Sequence, residues 1–378
     1  MIHMFSKLVS NTANLEVFGR DSFDEAPWNQ ARCICIAFIL CDVTIALMLH
    51  RIARWAQNMT ATENGRLGLH EDNVKGAWFP DVVAGLYLLN PLNLLSCGAM
   101  TTDIFSSLFI VAALFGVSIG SSLLSAFSLA AAVYTGLYPV PLLIPVCVML
   151  YTKPGKAGSG AKRVVLEVLL FVAALAGLVW ASWLAEGRSF EWARGVYGFL
   201  LTVPDKTPNI GVWWYLFLEL FTFYEPFFIA IFQINVFVAA AVPLSVRFSS
   251  HPLVVYWAMC VLMSIFAPYP SLATVGLHFA ILPLVWNKVR KCGFTLLLAI
   301  TAAALVVLLP NATHSWLYLG TGNINFYYFG TLVLQLVQVN FLTDCLSKVI
   351  IRDFLIKRKA GEFSYLNDSK STEEIKQQ

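Results

Sequence analysis

Several carboxylates fall inside or at the ends of long apolar runs, where an ionisable group is costly enough to need a reason. Asp42 lies midway along the run 33–49, and Asp81 and Asp103 edge the next two. Glu219 and Glu225 interrupt 212–246, and Asp344 lies within 324–350. Proton or ion transport would need several of them along one path. Interhelical hydrogen bonding, or nearness to an interface, needs only one partner apiece. The familiar catalytic patterns are missing. Gly155-Lys-Ala-Gly-Ser-Gly160 opens like a phosphate-binding loop, but Ala161 stands where lysine is required. No Gly-x-Ser-x-Gly occurs, and the six histidines show no metal-ligand spacing. Cys33-x-Cys35 has no second pair to complete a zinc site, and the eight cysteines lie almost all in or beside apolar runs, as buried inert thiols do. No metal or cofactor is expected.

The richest polar chemistry lies in two segments. In Val196-Tyr-Gly-Phe-Leu-Leu-Thr-Val-Pro-Asp-Lys-Thr-Pro-Asn-Ile-Gly211, Pro204 and Pro208 fix backbone angles, while Asp205 and Asn209 can close turns on their own backbone. Trp213, Trp214 and Tyr215 follow at once, as an aromatic belt at a membrane surface would. Asp205, Thr207, Asn209 and Trp213 are candidates for a headgroup or partner surface; an ordered connector is the plainer alternative. In Gly320-Thr-Gly-Asn-Ile-Asn-Phe-Tyr-Tyr328, two glycines permit close backbone approach, and two carboxamides and two phenols offer donors and acceptors. A helix opening there would add N–H groups that attract anions such as phosphate. A helix-capping turn and a headgroup site both fit.

The elements that must position these groups are set by composition. Apolar residues fill 58% of the 378 positions and charged residues 12%, against about 45–50% and about 25% in soluble domains. The solvent of this chain is lipid. A net charge of +3 gives no ground for a nucleic-acid partner. Apolar runs at 33–49, 82–98, 102–119, 121–136, 138–151, 164–185, 212–246, 252–267, 271–287, 294–310 and 324–350 predict an all-α polytopic membrane protein. They make about 11 transmembrane segments, several short or broken, since a simple span takes roughly 20 residues. Pro226 makes the run 212–246 a kinked span or a re-entrant hairpin. Gly116-Val-Ser-Ile-Gly120 has the small-xxx-small spacing of closely packed helices. Residues 1–30 contain no apolar signal-peptide core, so the first run would both target and anchor the chain.

Basic residues orient the spans. Lys153, Lys156, Lys162 and Arg163 cluster in one loop, and Lys288, Arg290 and Lys291 in another. Arg352, Lys357, Arg358 and Lys359 follow the last run, and Arg51, Arg54, Arg66 and Lys75 follow the first. The span order puts all four clusters on one side, which the positive-inside rule makes cytosolic. The expected units are a lumenal tail 1–32, one membrane domain 33–351 and a charged cytosolic tail 352–378. The loops 186–211 and 311–323 then face the lumen, where Asn311-Ala-Thr313 is a glycosylation sequon. Asp21, Asp24 and Glu25 share that side. Membrane glycosyltransferases using polyprenyl-phosphate sugars carry essential acids in their first lumenal loop, so a mannosyltransferase is an alternative function. A transporter with a path through Asp42, Glu219 and Asp344 is another.

The Val-Pro-Asp-x-Thr-Pro-Asn-Ile-Gly run, with Phe232-Gln-Ile-Asn-Val-Phe237, resembles the phosphatidylinositol-glycan class U family. Tyr87-Leu-Leu-Asn-Pro-Leu-Asn-Leu-Leu-Ser-Cys97, Tyr134-Thr-Gly-Leu-Tyr-Pro139 and the 320–328 segment match in order over about residues 80–350. The resemblance implies a non-catalytic subunit of the endoplasmic-reticulum complex that attaches glycosylphosphatidylinositol (GPI) anchors to proteins carrying a C-terminal signal. It implies partnership with other transamidase subunits, including a cysteine-protease-like catalytic one, and with the GPI glycolipid, which this subunit would bind or present. It further implies a fold similar to the polyprenyl-phosphate mannosyltransferases without their catalytic acids. The family's Asn-x-Asn element, associated with glycolipid binding, maps onto Asn323 and Asn325, with Phe326 and Tyr327 as the aromatic pair that follows. Residues 1–30 show little likeness, and the chain is expected to lack the apolar span that family members carry ahead of their first lumenal segment.

Overall fold

The computed structural model describes residues 25–66, 79–153, 158–234, 239–289, 293 and 295–359. Their regular structure is all helical, with no strand among the described residues. The elements in chain order are α1 (Glu25–Arg66), α2 (Phe79–Leu88), α3 (Pro91–Gly98), α4 (Asp103–Ile119), α5 (Ser122–Thr135) and α6 (Leu143–Thr152). Then come α7 (Ser159–Ala185), a short α8 made of Glu191–Ala193, a π-helical Arg194–Gly198 and Phe199–Thr202, and α9 (Trp213–Glu219). The chain continues with α10 (Glu225–Ile234), α11 (Ala241–Arg247), α12 (Pro252–Phe266), α13 (Leu272–Val289), α14 (Thr295–Leu317) and α15 (Ile324–Lys359). Among the described residues five stretches are long and apolar enough to cross a bilayer: Arg32–Met59, Ser159–Ala185, Leu272–Val289, Ala299–Leu317 and Ile324–Ile356. This is a membrane protein.

Local signals set the helix ends. Ser121 caps α5 by accepting the Leu124 N–H at 3.3 Å, and Asn90 caps α3 by accepting that of Leu92 at 3.1 Å. Pro91 and Pro252 open α3 and α12, where a missing N–H costs nothing. The two glycines of the small-xxx-small motif divide the work. Gly116 lets α5 approach α4 so closely that a Cβ would stand 2.5 Å from the Ser125 nitrogen. Gly120 instead ends α4 in a left-handed turn with φ +84°, its N–H reaching back to the Gly116 carbonyl.

At the centre lies α12, packed against α6, α11, α13 and α15. Its Tyr256 and Trp257 are fully buried, and each spends its polar atom on a neighbour's backbone. The Tyr256 hydroxyl donates to Ile110 O at 2.8 Å, and the Trp257 indole to His278 O at 3.1 Å. In contrast α7 and α14 are largely exposed apolar helices, as lipid-facing helices are.

Several sequence expectations are corrected here. The run 212–246 is not one kinked span: it holds α9, α10 and α11. Pro226 is the second residue of α10, so it starts a helix instead of bending one. Residues 186–211 are not simply a loop, because α8 occupies Glu191–Thr202. Nor is 311–323, since α14 continues through Pro310 to Leu317. There Asn311 Nδ2 donates to Val307 O at 2.9 Å and Thr313 Oγ1 to Leu309 O at 2.9 Å, which folds the sequon into the helix. The last helix runs unbroken to Lys359. Asp21, Asp24, Lys75, Lys156, Arg290, Lys291 and Asn235 lie outside the described residues.

The acidic residues are dispersed, each with its own surroundings. Asp42 accepts from the Tyr87 hydroxyl at 2.6 Å, and Asp81 pairs with His50 at 3.2 Å. Asp103 opens α4, Glu219 is exposed, and Asp344 accepts from Gly293 N at 2.7 Å with Lys348 at 3.5 Å. Neither Glu219 nor Asp344 lines the small cavity beside Asp42.

Candidate functional site

The two polar segments singled out above meet. Residues 203–212 form an extended strap between α8 and α9, and the strap is fastened on both sides. On one side it lies against the turn joining α12 to α13. The Asp205 N–H donates to the Tyr269 hydroxyl at 3.2 Å, and that hydroxyl donates back to the Asp205 carbonyl at 3.0 Å. Asn209 Nδ2 donates to Pro268 O at 3.3 Å, and a Cβ on Gly211 would strike Pro270 at 2.8 Å. Burial pushes the Tyr269 phenol above its ordinary range, which keeps it a donor. On the other side the strap lies against α15. The Tyr328 hydroxyl donates to Val212 O at 3.2 Å, and Gln335 Nε2 donates to Ile210 O at 3.0 Å.

The strap's own side chains explain its path. Asp205 Oδ1 accepts the Thr207 N–H at 2.9 Å and Asn209 Oδ1 the Gly211 N–H at 2.7 Å, two turns closed by the residues the sequence marks for that purpose. Val203 carries the strain of entry: a β-branched residue at φ +47°, held by near-complete burial. It packs with Trp213 and Phe217 in a small second core that includes Phe232 and Tyr269.

Trp213 therefore does not belong to a surface. Its side chain is fully buried, stacked on Phe217 at 5.2 Å, with its indole N–H on Phe266 O at 2.9 Å. Trp214 is buried as well, so the expected aromatic belt underlies the site instead of rimming it. The reason is geometric: α9 is only seven residues long and must bury one face to stay folded.

At the start of α15, Gly322 sits where a Cβ would meet the Trp316 nitrogen at 2.7 Å, and Gly320 turns at φ +64°. These two glycines fold the α14–α15 connection tightly. Asn323 then caps α15, its Oδ1 accepting the Asn325 N–H at 3.0 Å. Both carboxamide residues are exposed. Asn325 Oδ1 accepts from the Tyr215 hydroxyl. Phe326 is 73% exposed, whereas Tyr327 turns inward against Trp214 and Trp316. Thus Asn325 and the Trp213 neighbourhood come together through Tyr215, two residues on. Asp205, Thr207 and Asn209 lie on the strap itself, and Thr207 is exposed.

A groove of ≈ 500 Å³ opens beside the strap, between α8 and α10. Leu201, Ile229 and Ile234 give it apolar walls, and Thr202, Thr222 and Glu225 give it a polar margin. Lys206 of the strap pairs with Glu225 at 3.0 Å, tying the strap to the groove's edge. Gln233 at the groove is buried and satisfied, accepting from Tyr138 at 3.1 Å and donating to Leu200 O at 3.2 Å. The groove's hydroxyls and the Lys206–Glu225 ion pair, set beside its apolar walls, can hold an amphiphile, with hydrogen bonds for its headgroup and a wall for its chain.

The sequence model of a family described as "GPI transamidase subunit PIG-U" matches residues 7–334, a stretch containing all of these elements except the end of α15. The chain belongs to the PIG-U family. The match begins at residue 7, so family likeness extends into the 1–30 segment where sequence reading found little. The chain is 35% identical over 287 residues to the "GPI-anchor transamidase component PIGU" of Cricetulus griseus, and 34% identical over 287 residues to that of Homo sapiens. Each alignment covers 74% of this chain, and the chain spans 65% of the length of either relative. It is 29% identical over 319 residues to the "GPI transamidase component GAB1" of Saccharomyces cerevisiae, covering 84% of this chain and 74% of that protein.

Within this PIG-U chain, Tyr215, Tyr269 and Gln335 hold the site together, and sequence reading passed over their roles. Gln335 had a visible signal, a carboxamide with Gln338 one turn on in an otherwise apolar run. The others had none, because a phenol's partner is fixed only by the fold.

Proposed function

We propose that this chain is a non-catalytic membrane subunit of a GPI transamidase that holds the GPI glycolipid for transfer to a protein's new carboxyl group. The observation that carries the reading is the packing of the 203–212 strap and Tyr215 against the Asn323–Tyr328 opening of α15, within a chain of the PIG-U family. Asn323, Asn325 and Phe326 would meet the glycan headgroup, with Tyr327 packed behind them on Trp214 and Trp316 and Asp205, Thr207 and Asn209 beside it. The groove between α8 and α10 would take an acyl chain. The site's side chains bind and orient, and the cleaving and transferring chemistry would belong to a cysteine-protease-like partner. The membrane would be that of the endoplasmic reticulum, with the strap on the lumenal side. The short, broken helices α8 to α11 support a fold similar to the polyprenyl-phosphate mannosyltransferases.

Affinity purification of the chain in mild detergent tests the partnership, and transamidase subunits should co-purify. Depleting it from cells should leave complete glycolipid accumulating unattached to protein. Accumulation of an incompletely mannosylated precursor would overturn the reading in favour of an enzyme. Solute flux through liposomes containing only this chain would overturn it in favour of a transporter.

A further inference from the structure

We propose that Tyr215 is a displaceable internal ligand of Asn325, keeping the headgroup site closed until a hydroxyl of a lipid-linked sugar replaces the phenol. The inference rests on the reading that Asn325 meets the headgroup. Four observations carry it. First, Asn325 is exposed, so packing does not fix its carboxamide; the Tyr215 hydroxyl does, by donating to Oδ1. Second, that phenol is presented from a rigid base. Its neighbours Trp213, Trp214 and Phe217 are fully buried, and its ring lies 4.6 Å from that of Tyr328, itself tied to Val212. Third, a phenolic O–H and a sugar O–H are the same kind of neutral donor, so one can replace the other at Oδ1 with little net change. Fourth, the indole N–H of Trp214, in a residue 1% exposed, has no acceptor among the described residues. Trp214 touches both Tyr215 and Tyr328 through its ring. A buried donor left unspent is costly, and movement of Tyr215 would open it to a ligand oxygen.

The closed contact thus competes with the ligand, and removing the phenol oxygen should favour binding. The test uses the full-length chain, purified with its co-purifying subunits in mild detergent. The probe is a photoreactive glycosylated phosphatidylinositol, with a phosphatidylcholine carrying the same photoreactive group as control. Tyr215→Phe should half-saturate at about three- to ten-fold lower glycolipid probe concentration, the worth of one neutral hydrogen bond. Labelling by the phosphatidylcholine should not change. The gain should vanish when Asn325→Ala is combined with it, and thermal stability without probe should be equal or slightly lower. A purely structural Tyr215 would lose stability and binding together. Weaker labelling of Tyr215→Phe, or a gain that persists beside Asn325→Ala, overturns the latch. If Asn325→Ala alone weakens labelling while Tyr215→Phe leaves it unchanged, the latch falls and the headgroup reading stands. If Asn325→Ala alone changes nothing, both fall.

Discussion

The Tyr328 hydroxyl donates to the backbone carbonyl of Val212 at 3.2 Å, joining two segments 116 residues apart. With the Gln335–Ile210 contact about two turns further along α15, it makes the strap and the last helix one surface. Everything assigned to the site depends on that junction, and its parts can be separated by substitution.

Asn323 has a structural duty and a proposed ligand duty, and two substitutions part them. Asn323→Ala removes the cap and should cost about 1 kcal/mol of stability. Asn323→Asp keeps the capping oxygen but loses the amide donor, so it should keep wild-type thermal stability while anchor attachment falls. Full attachment by Asn323→Asp, measured as surface display of an anchored reporter, would reduce Asn323 to a cap.

Trp213 should be the most sensitive position in the second core. Trp213→Ala empties a fully buried site and should cost about 3–5 kcal/mol, seen as loss of folded protein in detergent. Trp213→Phe loses the bond to Phe266 O but keeps most of the packing, and it should cost about half as much or less. Equal tolerance of both would contradict the placement of this side chain.

Much of the site was legible in the sequence, and the failures have physical causes. Asn323 and Asn325 stand out because carboxamides after two glycines have little to do except cap or bind. Asp205 and Asn209 announce turns because their side chains reach their own backbone. Trp213 was misplaced because an indole suits a membrane interface and a core equally, and only the partner Phe266 decides. The run 212–246, read as a kinked span or a re-entrant hairpin, shows no internal boundary in hydropathy because Phe221, Phe223 and Tyr224 remain apolar while leaving the helix at 220–224. The run 294–310 stops short of the end of α14 because polar Asn311 and Thr313 lower the hydropathy while the helix continues through Pro310 to Leu317. Glu167, fully buried in α7 and facing Ser122 and Ser125 of α5, was passed over although it is the only acid in that helix.

Two glycines give a paired test of helix packing. Gly116→Ala drives a methyl group against the Ser125 backbone and should destabilise the α4–α5 pair by about 1–3 kcal/mol. Gly177→Ala in α7 has nothing within 4 Å and should be neutral or stabilising by up to about 1 kcal/mol. Thermal melts in detergent should therefore move in opposite directions or by clearly different amounts. A common shift would contradict the close α4–α5 approach.

The sequon at Asn311 should carry no glycan, because its amide nitrogen is spent on Val307 O inside α14. Peptide N-glycosidase treatment should leave the chain's gel mobility unchanged, in wild type and in Asn311→Gln alike. A mobility shift abolished by Asn311→Gln would show that α14 ends earlier than Leu317 when the sugar is added.

The central claim is that the opening of α15 meets the GPI headgroup, and Phe326 is placed to report on it, being 73% exposed beside both carboxamides. Replacing Phe326 with the photoreactive p-benzoylphenylalanine, irradiating intact cells and identifying the adduct by mass spectrometry tests the claim most directly. The adduct should be complete GPI glycolipid, increased when protein substrates are depleted. Adducts of bulk phospholipid alone, with the variant still assembled and active, would contradict it.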